Sequence, residues 1–165
     1  MLVPSIANAW FNLGGALQMV VNFSKALEAY NHSLQLEPSK DAYSNLATSN
    51  FYLGRFAEAV AHYERAAALG EHDHVIQGNL GDALWQVEGR RDDAVARYRR
   101  AILLAETEVE ARPADAALRA QLGYYYGRIG DPDQSSRYLS EALAAGPEML
   151  YVQYFVGVSA ADKGD

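Results

Sequence analysis

Apolar residues recur along this 165-residue chain at the spacing of a helix face, in segments that Gly, Pro or Asp residues separate. Consecutive segments predict a first helix, a tight turn and an antiparallel second helix. Gly54, Gly89 and Gly130 stand where the first helix of such a pair would end, which is a position that favours glycine. The pattern therefore indicates an all-α chain of helix pairs.

The helix pair occurs four times. Each first helix carries a leucine followed by a small residue, and these leucines (Leu13, Leu46, Leu80 and Leu122) are 33, 34 and 42 residues apart. Each second helix carries a small, a large and another small residue: Ala26-Tyr30-Ser33, Ala59-Tyr63-Ala66, Ala94-Tyr98-Ala101 and Ser135-Leu139-Ala142. The small residues predict where two helix backbones cross closely, and the large residue, one turn along, fills the groove between them.

The first repeat carries a recognisable motif. Trp10-x-x-Leu13-Gly14-x-x-Leu17, followed by Ala26-x-x-x-Tyr30 and Pro38, resembles a tetratricopeptide repeat, although Leu17 replaces the usual tyrosine and Ser33 stands at the next small position. The resemblance covers residues 7–147. It implies a right-handed α-solenoid of antiparallel helix pairs that forms one domain over residues 1–165. The repeats would span 7–39, 40–73, 74–115 and 116–148, with a terminal helix at 149–163.

The third spacing is longer than the others because of two insertions. One residue lies in the turn around Glu88-Gly89, and seven lie in the segment 106–112. This segment has neither Gly nor Pro and favours helix, so we expect the second helix of repeat three to be about two turns longer than the other second helices. We interpret it as a tolerated extension that protrudes as a ridge.

The terminal segment 149–163 is apolar nearly all round, whereas a capping helix needs a polar outer face. Its apolar residues are Leu150, Tyr151, Val152, Tyr154, Phe155, Val156 and Val158. We therefore favour either a fragment of a longer array or a homo-oligomer that forms through this helix.

Composition narrows the function further. Fourteen Lys and Arg against 21 Asp and Glu give a net charge of −7, which argues against a general nucleic-acid binder. The absence of cysteine excludes disulfides, thiolate metal sites and cysteine nucleophiles. No apolar run approaches the length of a membrane span and no leader pattern opens the chain, so we expect a cytoplasmic protein.

Candidate catalytic and ligating groups are few. No phosphate-binding glycine loop, metalloprotease motif, nucleophile elbow or EF-hand is found, so we expect neither enzymatic activity nor a cofactor. Glu71-His72-Asp73-His74 has metal-ligand residue types, but consecutive residues of a link rarely converge on one ion, and we expect a solvated link with acids near a helix start. The arginine-rich stretch 90–100 admits a phosphate role, although a solvated helix face is the expectation.

The resemblance implies a concave face lined by the first helices. Carried over residue by residue, the candidate partner-binding positions are Asn12, Asn45, Thr48, Phe51, Asn79, Asp82, Trp85, Gln121, Tyr124 and Tyr151. The carboxamides directly before the repeated leucines could hydrogen-bond the main chain of an extended peptide, and the aromatics would anchor its side chains. The alternative is that the amides only solvate the face or bond within the repeat.

Three functions are compatible with these features of the sequence. The leading one is a non-catalytic module that binds an extended peptide or helix of another protein. Some tetratricopeptide domains clamp a partner's C-terminal carboxylate with Lys, Asn and Arg. The matching positions here carry no cation, so we reject such a clamp; they are Phe11, Gly15, Asn45, Val75 and Asn79. Residues 79–105 are also similar to arrays C-terminal to bacterial serine/threonine kinases and winged-helix regulators, which suggests a regulatory arm. The third is a self-assembling scaffold.

Overall fold

The computed structural model describes residues 5–161, with side chains as far as Val158. This part of the chain contains nine α-helices and no strand: α1 (Ile6–Met19), α2 (Phe23–Leu36), α3 (Lys40–Tyr52), α4 (Phe56–Leu69), α5 (His74–Trp85), α6 (Arg91–Ala111), α7 (Ala116–Arg128), α8 (Pro132–Ala145) and α9 (Leu150–Ala161). The all-α prediction is confirmed.

The chain forms two compact units that divide after Ala94, within α6. In unit 1, α1 pairs with α2 and α3 with α4, while α2 packs against α3 and α4 against α5. In unit 2, α7 pairs with α8, and α9 packs chiefly against α7. The expectation of one domain over residues 1–165 stays a prediction.

Small residues allow the paired helices to approach closely, as the repeat pattern predicts. A Cβ atom added at Gly14 would lie 2.5 Å from a ring carbon of Tyr30, which is fully buried. At Gly123 it would lie 2.6 Å from Cγ of Leu139. Such close packing fixes the crossing point of each pair because neighbouring side chains in a dense core have little room to shift.

The turn between the two helices of a pair contains one residue with positive φ. Gly54 (φ 72°), Gly89 (φ 75°) and Gly130 (φ 82°) occupy this position, where glycine meets no steric penalty. In the first pair the corresponding residue is Val21, with φ 59°. Because a β-branched residue is disfavoured in this region, the first turn carries backbone strain that the others lack.

Helix α6 has 21 residues, against 12 to 14 in the other helices of the described chain, so the predicted extension is confirmed. The Tyr126 hydroxyl on α7 donates a hydrogen bond of 2.7 Å to Glu106 at the start of this extension. Near its end Arg112 pairs with Glu108 and, at 3.0 Å, with Asp115. The extension thus contacts α7 through Glu106 and carries ion pairs along its own surface.

The link between α4 and α5, residues 70–73, ends in the residue that caps α5. The Asp73 carboxylate accepts hydrogen bonds from the backbone N–H groups of Val75 and Ile76 and pairs with Lys40 Nζ at 2.7 Å. Burial alone would raise the pKa of Asp73, but the hydrogen bonds from Lys40, Ile76 and Val75 bring it below the usual value. Asp73 therefore serves as the N-cap of α5 and connects it to α3.

Candidate functional site

The predicted ligand face of unit 1 is carried by α1, α3 and α5. Asn12, Asn45 and Asn79 stand directly before the repeated leucine of each helix. Asn12 is exposed, and Asn45 and Asn79 are half-buried. The leucines Leu46 and Leu80 that follow are buried. Asn45 and Asn79 therefore each precede a leucine that anchors its helix in the core.

A polar network connects α1, α2 and α3 behind this face. Tyr30 Oη donates to Gln18 Oε1 at 2.7 Å, while Gln18 Nε2 donates to the Asn45 carbonyl and to Ser49 Oγ, both at 2.9 Å. Burial raises the pKa of Tyr30 to about 12, and a hydrogen bond from the Asn45 side chain opposes the rise. The main chain of Asn45 is thus tied to α1 through Gln18, and its side chain lies close to the Tyr30 hydroxyl.

Thr48 is likewise used inside the repeat. Its hydroxyl donates to the Ser44 carbonyl at 3.0 Å, and the Tyr63 hydroxyl lies 2.8 Å from the same oxygen. Tyr63 is buried, and burial raises its pKa above the ordinary value. Thr48 therefore joins α3 to α4, which is a role that its position on a polar helix face did not reveal.

The aromatic anchors of unit 1 lie toward the turns. Phe51 packs edge-on against Tyr52 and Phe56, with ring centroids 5.9 and 5.3 Å apart, and Tyr52 stacks on Phe23 at 4.9 Å. Helix periodicity placed Phe51 on the face but did not predict this cluster, because Phe23 and Phe56 belong to second helices.

Trp85 is the last residue of α5 and stands at the edge of an open cleft. The cleft is lined by residues of the third turn: Trp85, Gln86, Val87, Glu88, Gly89, Arg91 and Asp92. The Arg91 guanidinium lies over the indole, 5.0 Å from its ring centroid. Asp82, half-buried, lies one helical turn earlier on α5. The cleft offers an indole, a guanidinium and carboxylates within one short segment.

Unit 2 differs from the expectation of an open face. Gln121 and Tyr124 are only 7% and 8% exposed. Gln121 Nε2 donates to the Tyr151 hydroxyl at 2.5 Å, and the rings of Tyr124 and Phe155 are 5.2 Å apart. The three predicted residues are indeed neighbours, but helix α9 covers the first two. Periodicity within one helix does not show that a later helix packs on it.

Other kinds of site are not indicated in the part of the chain that the structure describes. No group of three or more His, Cys, Asp or Glu residues is arranged to hold a metal ion, and His74, the first residue of α5, is buried. Within the same residues, no helix combines the length and apolar character needed to cross a membrane.

Comparison with known proteins is consistent with this geometry. Two protein-family sequence models, both described as "Tetratricopeptide repeat", match residues 41–73 and 73–148 of this chain. The Hsp70-Hsp90 organizing protein of Triticum aestivum is 32% identical over 97 residues, which are 59% of this chain but only 15% of that protein.

Two solved structures share the fold. A thermophilic TPR protein of Thermus thermophilus has a TM-score of 0.70 and 20% identity, covering 96% of this chain and 83% of its own. The corresponding values for pilF of Pseudomonas aeruginosa are 0.68, 20%, 95% and 68%. At these identities the likeness concerns the fold alone.

Proposed function

Because this chain belongs to the tetratricopeptide repeat family, whose members are generally non-catalytic protein-interaction modules, we propose that unit 1 binds a segment of another protein along α1, α3 and α5. The observation that carries the proposal is the register of Asn12, Asn45 and Asn79. One amide stands at the same position of three successive first helices, exposed or half-buried. Such a row suits the regularly spaced N–H and C=O groups of an extended peptide.

The surroundings of this row support the same conclusion. Gln18 holds α1 against α3 through two hydrogen bonds, so the spacing of the amides is set before a ligand arrives. Such preorganisation lowers the entropic cost of binding. Trp85 and Phe51 lie toward the turn side of the same helices and provide aromatic surface for ligand side chains. We propose that unit 1 acts by binding alone, without catalysis or a cofactor.

Affinity capture from the source organism tests the proposal. The chain is compared with the triple variant Asn45→Ala, Asn79→Ala, Trp85→Ala. A matched control replaces three exposed residues of the second helices α2 and α4: Asn31→Ala, Gln35→Ala and Leu69→Ala. A protein partner should bind to the chain and to the control but not to the triple variant. Circular dichroism and thermal unfolding establish that all three are equally folded. Equal capture by all three would refute the proposal.

The likeness to the Hsp70-Hsp90 organizing protein raises the question whether unit 1 recognises the free C-terminal carboxylate of a peptide. The clamp-like positions in unit 1 offer no cation, since they are Phe11, Gly15, Asn45, Val75 and Asn79. We therefore expect a captured peptide to bind equally well with a free carboxylate or an amide at its C-terminus. A strong preference for the free carboxylate would contradict this.

Self-association is the second candidate. Leu150 and Tyr154 on α9 are 82% and 59% exposed, and α9 carries no charged residue that would oppose contact with another copy. Light scattering over a concentration series should detect a species larger than the monomer. A constant monomer mass at high concentration would exclude it.

We also propose that the chain is a regulatory arm of a larger bacterial signalling protein and that it is located in the cytoplasm. The similarity of residues 79–105 to arrays of bacterial kinases and transcription regulators supports the former. Sequencing the source gene on both sides of this segment tests it, and fractionation of the source cells tests the location. A neighbouring kinase or winged-helix domain in the same reading frame is the expected result, and its absence would contradict the regulatory arm.

A further inference from the structure

Helix α9 packs unlike the earlier first helices. Between neighbouring repeats of unit 1, α3 packs mainly against α2, and α5 packs mainly against α4. Contact between successive first helices is slight. In unit 2 the order is reversed, since α9 packs mainly against the first helix α7 and less against α8. Helix α9 thus lies on the face of α7 whose counterparts on α3 and α5 carry half-buried Asn45 and Asn79.

The contact has the composition of a helix-recognition site. Val152 is fully buried and Phe155 is 9% exposed, and these residues lie one helical turn apart on α9. Phe155 packs against Tyr124, and the Tyr151 hydroxyl accepts the hydrogen bond from Gln121. Two apolar anchors one turn apart, with one polar contact beside them, are the kind of contact by which a helix docks in a groove.

Helix α9 keeps an exposed apolar face. Leu150 and Tyr154 are 82% and 59% exposed. The segment between α8 and α9, residues 146–149, is a short turn without helix, and Gln153 Nε2 of α9 donates a hydrogen bond to its Pro147 carbonyl at 2.9 Å. Helices α7 and α8 contact each other more extensively than either contacts α9, so α9 can leave its site without disrupting the α7/α8 pair.

We propose that the α7 face bearing Gln121 and Tyr124 is a receptor for a helix, and that α9 is its occupant within the chain. The partner class is a helix with a tyrosine, an adjacent β-branched residue and an aromatic three positions after the latter, as in Tyr151, Val152 and Phe155. A partner helix of this pattern displaces α9. The inference extends the proposed function to unit 2, where the ligand is a helix and not an extended peptide.

The test uses the full chain and a fluorescent peptide of residues 148–161. Phe155→Asp places a carboxylate in the apolar contact and expels α9, while the matched control Leu150→Asp makes the same change at an exposed position of α9. Apparent affinity scales with the fraction of open sites, so Phe155→Asp should bind the peptide at least about tenfold more tightly than Leu150→Asp. Adding Tyr124→Ala to the Phe155→Asp variant should abolish the gain.

Equal affinities of the two variants, or a gain that survives Tyr124→Ala, would overturn the proposal. If Phe155→Asp lowers the helical content of more than α9, the milder Val152→Ala replaces it, and an unchanged affinity then overturns the proposal as well. The Asn45, Asn79, Trp85 triple variant should bind the peptide as the native chain does. Failure of the unit 1 proposal and failure of this one therefore give different results.

Discussion

The first turn of the chain stores strain that a single substitution should release. Val21 has φ 59° where the other three turns have glycine, and its side chain is 70% exposed. Val20, directly before it, is 71% exposed but has an ordinary φ of −96°. The two valines thus differ in backbone conformation and hardly in burial, so Val21→Gly and Val20→Gly form a matched pair.

The expected difference in the free energy of unfolding between the two variants follows from three contributions. Left-handed backbone costs an L-residue about 1–2 kcal/mol, which only Val21→Gly recovers. Both variants lose about 0.4–1 kcal/mol because glycine increases the entropy of the unfolded chain. Both also lose the same small burial term. The free energy of unfolding of Val21→Gly should therefore exceed that of Val20→Gly by about 1–2 kcal/mol, roughly a 5- to 30-fold difference in the unfolding equilibrium.

Urea unfolding followed by circular dichroism measures this difference, with the m-value checked for equality between the variants. In thermal unfolding the Tm of Val21→Gly should be about 2–8 °C above that of Val20→Gly. Val20→Gly itself should be less stable than the native chain. If the two variants are equally destabilised, the left-handed conformation of Val21 costs nothing and the reasoning is refuted.

Three further predictions concern packing and charge. Gly14→Ala should lower stability by about 1–3 kcal/mol because its Cβ would contact the buried Tyr30 ring, whereas Gly15→Ala, 3.9 Å from the Tyr30 hydroxyl, should be neutral or stabilising; urea midpoints compare them. The folded-state pKa of Asp73 is lowered, so its contribution to stability is present above about pH 4 and is lost as pH falls; Asp73→Asn should reduce the acid dependence of the urea midpoint, and the exposed Asp41→Asn should not. The folded-state pKa of Tyr30 is raised to about 12, so stability should fall as pH rises from about 10 towards 12; Tyr30→Phe should weaken this alkaline loss and Tyr52→Phe should leave it unchanged.

The candidate site was predictable where it follows a single helix. The register of Asn12, Asn45 and Asn79 could be counted from the repeated leucine, and the structure leaves these amides half-buried or exposed. The roles of Gln18 and Thr48 could not be counted in this way. Gln18 connects three helices, and Thr48 approaches Tyr63 on the next helix, so both depend on how the helices cross.

The sequence by itself determined the helix pairs, their crossing residues and the length of α6, because each depends on local periodicity and on the absence or presence of turn residues. It also marked α9 as apolar, but an apolar helix has several surfaces on which to be buried. The tertiary structure decided that α9 covers Gln121 and Tyr124, because the choice depends on which face offers matching shape and hydrogen bonds. The strain at Val21 has the same origin: the packing of α1 on α2 demands a left-handed residue at the turn, and the sequence supplies a valine there.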